Sequence, residues 1–146
     1  MKTLIVDDVQ SVRFILDKTL SAYGQTVCLE SGEKVVEVLS GAISANDPFD
    51  LVLLDLSMPV KDGVETLLDI REYENSIFHK FKTLFRQDYK TYIVILTADP
   101  DREQELLDKG ADYFLAKPLD LHQLKRFLKE NGVDVYHNID IRDINR

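Results

Sequence analysis

LVLLDLSMPVKDG, residues 51–63, opens on four apolar residues, closes in a turn containing Pro59 and Gly63, and places Asp55 where the two meet. An unbroken apolar run bounded by turn residues reads as a strand covered on both faces, as in a parallel sheet. YIVIL (92–96) is a run of the same kind, and KTLIV (2–6), TVCL (26–29) and DYFL (112–115) supply three further strands. Between these runs apolar residues recur at helical spacing. Val12, Ile15, Leu16 and Leu20 make one such stripe, Val35, Val36 and Leu39 a second. Val64, Leu67, Leu68 and Arg71 form a third, and Leu124, Phe127 and Leu128 close the series. Gly24, Gly110 and Gly132 stand where helices should stop. There are no internal repeats. Five strands and about five helices in strict alternation predict an α/β fold, a three-layer, doubly wound parallel sheet.

Composition narrows the function. The chain has 146 residues, enough for one domain with a real core, and its 45% hydrophobic and 30% charged residues suit an ordinary globular protein. A net charge of −8 argues against direct nucleic-acid binding, which wants clustered Lys and Arg. A single cysteine, Cys28, excludes an internal disulfide framework and suits a reducing compartment; its apolar neighbours predict a buried, inert thiol. No apolar run approaches the roughly 20 residues of a membrane span. Asp7 and Asp8 interrupt any signal-peptide core at once, so the expected location is cytoplasmic.

Open α/β sheets bind ligands outside the carboxyl ends of their strands. Those ends carry Asp7 and Asp8, Asp55 and Thr97, with Lys117 just past the fifth strand. Taken singly, each has a bland explanation: an Asp that caps a helix or forms a turn, a Thr at an N-cap, a surface lysine. One shared site explains them together. Three convergent carboxylates repel by roughly 4 kcal/mol per pair at about 4 Å and an effective dielectric near 20. A proton or a cation must therefore enter the cluster. Hard oxygen donors favour Mg²⁺, while His79, His122 and His137 show no metal-ligand spacing. An Asp carboxylate beside such an ion can act as a nucleophile toward phosphorus, with an ammonium such as Lys117 balancing the phosphoryl charge.

Asp7-Asp8, DLSMPVKDG (55–63), ILTA (95–98) and GADYFLAKP (110–118), in this order, resemble the signature blocks of the receiver domain of bacterial response regulators. The resemblance spans residues 2 to about 131 and implies a receiver domain over 1–131 with the flavodoxin-like strand order 2-1-3-4-5. It implies Asp55 as phosphoacceptor, with Mg²⁺ (or Mn²⁺) on Asp8 and Asp55 directly, on Asp7 through water, and on the Ser57 backbone carbonyl. Thr97 would bond a phosphoryl oxygen, Lys117 would pair with the phosphate, and the Lys117–Pro118 peptide would be cis. Phe114 occupies the position of the aromatic switch residue, usually tyrosine, with Tyr113 one place earlier. A phenyl ring can fill the space behind a moved Thr97 but has no hydroxyl to signal with. Ser57 and Asp99 lie where the family tunes phosphate lifetime. The implied partners are a histidine kinase or histidine phosphotransfer protein as donor and a downstream effector protein. The product is then a signal rather than a turned-over substrate.

Two segments exceed the family pattern. The third helix and fourth strand are separated by an insertion, about 75–91, in which Ile77, Phe78, Phe81, Leu84 and Phe85 share one helical face. Lys80, Lys82, Arg86 and Lys90 against Asp88 give it a net charge of +3. It reads as a longer or extra helix on the domain's own flank, or as a docking surface for a partner, a second copy or an anionic membrane. The tail, 132–146, alternates Val133/Val135 and Ile139/Ile141, a short hairpin or a disordered linker. Function keeps alternatives as well. These are a phosphorelay shuttle, a receiver cut from a larger regulator, a pseudo-receiver that only binds, and a small phosphohydrolase. The last would want a second Asp where Ser57 stands.

Overall fold

The computed structural model describes residues 1–80 and 91–133, with side chains described to 77 before the gap. Strands β1 (Thr3–Val6), β2 (Thr26–Leu29), β3 (Leu51–Asp55), β4 (Tyr92–Thr97) and β5 (Tyr113–Ala116) form one parallel sheet. Its order is β2-β1-β3-β4-β5, as expected. Helices α1 (Gln10–Leu20), α2 (Val35–Ser44), α3 (Gly63–Lys80), α4 (Glu103–Asp108) and α5 (Leu121–Glu130) connect and follow the strands.

Alternation along the strands divides the core in two. Leu4, Val6, Val52, Leu54, Ile93 and Ile95 meet Val35 and Leu39 of α2, Leu67 and Ile70 of α3, and Leu106 of α4. On the opposite face Ile5, Leu53, Val94 and Leu96 meet Leu16 and Leu20 of α1 and Leu124, Phe127 and Leu128 of α5. The three central strands are therefore apolar on both faces because both faces are covered. Each such buried aliphatic side chain stabilises by about 1.5–3 kcal/mol, so the strands are held far more firmly than the loops at their ends.

Several sequence expectations are refined. The stripes on α1 and α3 are narrower than the spacing suggested, since Ile15 and Leu68 are exposed while Leu16, Leu20, Leu67 and Ile70 are buried. Cys28 is exposed, against the expectation of burial. It lies on β2, an edge strand with one neighbour, and shares its face with Thr26, whose hydroxyl bonds Asp17 of α1. What cover it has, together with the negative charge of Asp17, raises the thiol pKa and keeps it in the unreactive form. Val133 is fully buried beside α5, so the core reaches past the expected boundary at 131. Gly132, at φ +65°, ends α5: its N–H reaches the carbonyl of Lys129 and that of Val133 the carbonyl of Leu128. The third helix extends through the start of the insertion, to Lys80. Residues 81–90 and the expected hairpin at 134–146 lie outside the described residues.

Register delivers the functional residues. Val6 pairs with Leu54, Leu54 with Ile95, Asp55 with Leu96, and Thr97 with Ala116. In a parallel sheet this aligns the carboxyl ends of β1, β3, β4 and β5 on one edge.

A candidate acidic cleft at the carboxyl edge of the sheet

Asp7 follows β1 and is fully buried, Asp55 ends β3 and is 3% exposed, and Asp8 is exposed between them and solvent. One carboxylate oxygen from each lies within 4.8 Å of the others. Capping does not explain this pair, because α1 has Val9 at its N-cap and no side-chain cap. Instead Oδ1 of Asp7 accepts the Val9 N–H at 2.9 Å, forming a local turn, and the Arg13 guanidinium donates to the Asp7 carbonyl at 2.8 Å.

Lys117, just past β5, reaches across the cleft. Its Nζ lies 3.1 Å from Oδ2 of Asp7 and 3.3 Å from Oδ1 of Asp55, which also accepts the Ser57 N–H at 3.3 Å. Burial, then the charge of Asp7, lifts the pKa of Asp55 to about 6, with Lys117 pulling the other way. Burial also works against the ammonium of Lys117. The hydrogen bonds and charges of Asp7 and Asp55 outweigh it and hold its pKa above the usual value. A charged lysine thus faces three carboxylates, and the cluster keeps unmatched negative charge. That surplus, with oxygen donors alone, suits a hard divalent cation.

Thr97 ends β4, buried, and its hydroxyl oxygen accepts the Asp99 N–H at 3.0 Å. Its carbonyl receives the Lys117 N–H at 2.7 Å, so the threonine and the lysine are tied through their backbones. All five residues marked from the sequence, Asp7, Asp8, Asp55, Thr97 and Lys117, therefore meet at one edge.

Gly63 was read from the sequence only as part of a turn, yet it packs directly against the backbone of Asp55 and Leu56. A Cβ there would stand 2.3 Å from the Asp55 carbonyl oxygen and 2.7 Å from the Leu56 Cα, both backbone atoms that cannot step aside. The Gly63 N–H in turn bonds the Leu56 carbonyl at 2.9 Å. Gly63→Ala is expected to destabilise the fold by about 3 kcal/mol through overpacking, as a lower midpoint in urea at unchanged slope would show.

The family model for the response regulator receiver domain matches residues 3–129. The chain belongs to that family. The receiver is 34% identical over 145 residues to the hybrid signal transduction histidine kinase L of Dictyostelium discoideum, covering 93% of this chain and 8% of the kinase. Its fold is similar to the receiver domain of Ssk1 from Saccharomyces cerevisiae, solved with the histidine phosphotransfer signaling protein Ypd1. The TM-score is 0.74 at 25% identity, over 89% of this chain and 87% of that one. The response regulator protein TrrA of Thermotoga maritima, solved in complex with Mg²⁺-BeF, matches with TM-score 0.65 at 25% identity, over 88% and 96% of the two chains. The chain spans less than half the length of the curated relatives it matches.

The remaining family positions fall around the cleft of the receiver. The Lys117–Pro118 peptide is cis. Phe114 pairs in register with Ile95, two residues before Thr97, and packs into the core beneath α2, α3 and α4. Tyr113 points to the other face and stacks on Phe127, ring centroids 4.5 Å apart. Asp99 accepts the Asp101 N–H at 3.2 Å and caps the short turn after β4. His122 is the second residue of α5, its N–H donating to the capping Asp120. No helix among the described residues is long and apolar enough to cross a membrane.

Proposed function

We propose that this receiver accepts a phosphoryl group on Asp55 from the phosphohistidine of a histidine kinase or phosphotransfer protein, in a Mg²⁺-dependent reaction in the cytoplasm. The observation that carries the proposal is Asp55 itself, a buried carboxylate at the base of a three-carboxylate cleft and held from one side by Lys117. Mg²⁺, or Mn²⁺ in its place, would be held by Asp8, Asp55 and the Ser57 carbonyl, with Asp7 acting through water, and would offset the charge of the phosphoryl oxygens.

The chain's own groups do the rest. An oxygen of Asp55 attacks phosphorus as the P–N bond to the donor imidazole breaks, and the electron pair stays on that nitrogen. Lys117, already paired with Asp55, turns its ammonium to the transferred phosphoryl group. The Thr97 hydroxyl donates to a phosphoryl oxygen, keeping its own oxygen as acceptor for Asp99 N–H. Phe114, on the same sheet face as Thr97, follows that movement, and the face built from 97–118 carries the change to an effector protein. Without a hydroxyl, Phe114 reports through packing alone. The receiver thus catalyses only its own phosphorylation and dephosphorylation.

Intact mass after incubation with Mg²⁺ and a small acyl phosphate tests this directly. Gain of a single phosphoryl group, abolished by EDTA and in Asp55→Ala, is the expected result. A gain that survives Asp55→Ala would place the phosphate elsewhere and refute the assignment.

A further inference from the structure

We infer that Arg13 is a positioning residue for the divalent-cation site: its guanidinium locks the Asp7–Asp8 peptide in the orientation that points the Asp8 carboxylate into the cleft. The inference rests on the proposed Mg²⁺ site and adds to it a residue from the end of the first turn of α1, six positions past Asp7.

Asp7 and Asp8 leave the sheet just as ladder hydrogen bonding ends. The Asp7 N–H still bonds Leu29 at 3.2 Å, but its carbonyl lies beyond β1 and is met instead by the Arg13 guanidinium at 2.8 Å. Fixing that carbonyl fixes the plane of the peptide between the two aspartates, and so the direction in which Asp8 departs. Asp7 is anchored three further ways, through the Leu29 rung, the Val9 amide and Lys117. Asp8 is exposed, and the peptide plane is its link to that anchored frame. Arg13 is itself held: its side chain is only 13% exposed, and its other nitrogen lies 3.4 Å from Glu30 on the loop after β2. Groups that orient metal ligands commonly govern affinity by 10–100-fold when removed, and the planar guanidinium suits such a task better than a flexible ammonium.

The sign of the effect separates positioning from charge. Arg13 is a cation beside a cation site, so deleting its charge alone would tighten Mg²⁺ binding. Deleting a positioning contact weakens it. A residue that only holds α1 in place would leave the affinity of the folded protein unchanged.

The experiment is calorimetric titration of the metal-free full chain with Mg²⁺, comparing wild type, Arg13→Met, Arg13→Lys, Glu30→Gln and Asp8→Asn, each first shown folded by circular dichroism. Arg13→Met is expected to weaken Mg²⁺ binding about tenfold, with Arg13→Lys between it and wild type. Glu30→Gln should stay within twofold, because Glu30 is exposed and its contact long. If Arg13→Met does not fold, Arg13→Lys decides on the same criterion, weaker binding than wild type. Binding by the folded Arg13 variant that equals or exceeds wild type overturns the inference. Failure of wild type to bind Mg²⁺, or unchanged binding by Asp8→Asn, would instead overturn the metal site on which it stands.

Discussion

Asp55→Asn is expected to stabilise the metal-free protein by about 3 kcal/mol at neutral pH while abolishing phosphoryl uptake. The size follows from the shift of the Asp55 pKa from 3.8 to about 6, driven first by burial and then by the charge of Asp7. At 1.36 kcal/mol per unit, the difference of roughly 2.2 units gives that figure. The sign follows from linkage. Because the folded pKa is raised, native Asp55 holds its proton more tightly than the unfolded chain does. The associated stability is fully present below about pH 4 and is lost as pH rises through about 6. Asparagine carries no charge to lose, so its advantage grows over the same interval. Melting curves in EDTA should coincide near pH 4 and separate by roughly 6–12 °C at neutral pH, with the variant higher. Curves that remain together would mean the carboxylate cluster is not strained. Added Mg²⁺ should close the gap from the wild-type side, since ligand at about 100 times its dissociation constant stabilises by about 2.7 kcal/mol. A site that lowers stability until it is filled belongs to a binding or reacting centre rather than to the framework.

The opposite end of the sheet yields the second large effect. Arg71→Met is expected to cost about 3 kcal/mol, the lower end of what removing one partner from a buried ion pair costs, because this cluster is largely rather than fully buried. Arg71 reaches from α3 to four acceptors. Nε bonds the Gly110 carbonyl at 2.8 Å, Nη2 bonds Asp112 at 2.7 Å, and Nη1 bonds Glu74 at 2.8 Å and the Thr91 carbonyl at 2.9 Å. Asp112 also accepts the Ile93 N–H at 2.8 Å, so one cluster joins α3 to the starts of β4 and β5. Burial already raises the pKa of Glu74 against the pull of Arg71. Methionine fills a similar volume but leaves both carboxylates without the guanidinium. The loss should be greatest at neutral pH and smaller in acid, where Glu74, its pKa already raised by burial, takes up a proton. Urea unfolding at two pH values checks this, and a loss below about 1 kcal/mol would reduce the cluster to an ordinary surface pair. Mg²⁺ binding by the folded variant should be unaffected, because the cluster sits at the amino ends of the strands.

Both sites bear on what a reader of the bare sequence sees. Asp55 was legible: a carboxylate at the end of an apolar run, in an α/β alternation, sits where such sheets bind ligands. Asp7, Asp8, Thr97 and Lys117 were legible for the same reason, and the structure gathers all of them. Arg71 was not. At helical spacing after Val64 and Leu67 it read as the polar end of a stripe, and three of its four partners lie 20 to 41 positions away. Arg13 left no signal either, since a side chain bonding a carbonyl six residues back belongs to no repeating pattern. Cys28 was misplaced because apolar neighbours announce a strand without saying whether that strand lies at an edge.

By itself, then, the sequence determined the elements, their order and the chemical character of the strand ends. Periodicity and turn chemistry are local, written within a few residues of where they act. Tertiary structure alone decided which groups touch. Lys117 meets Asp7 across 110 positions, and it does so because sheet register aligns two strand ends that nothing in either segment specifies. The same register decides that Gly63 must lack a side chain and that Asp55 sits buried with its pKa near 6, since both follow from what crowds them rather than from what adjoins them. Packing and dielectric are properties of the assembled sheet, and there the site acquires its chemistry.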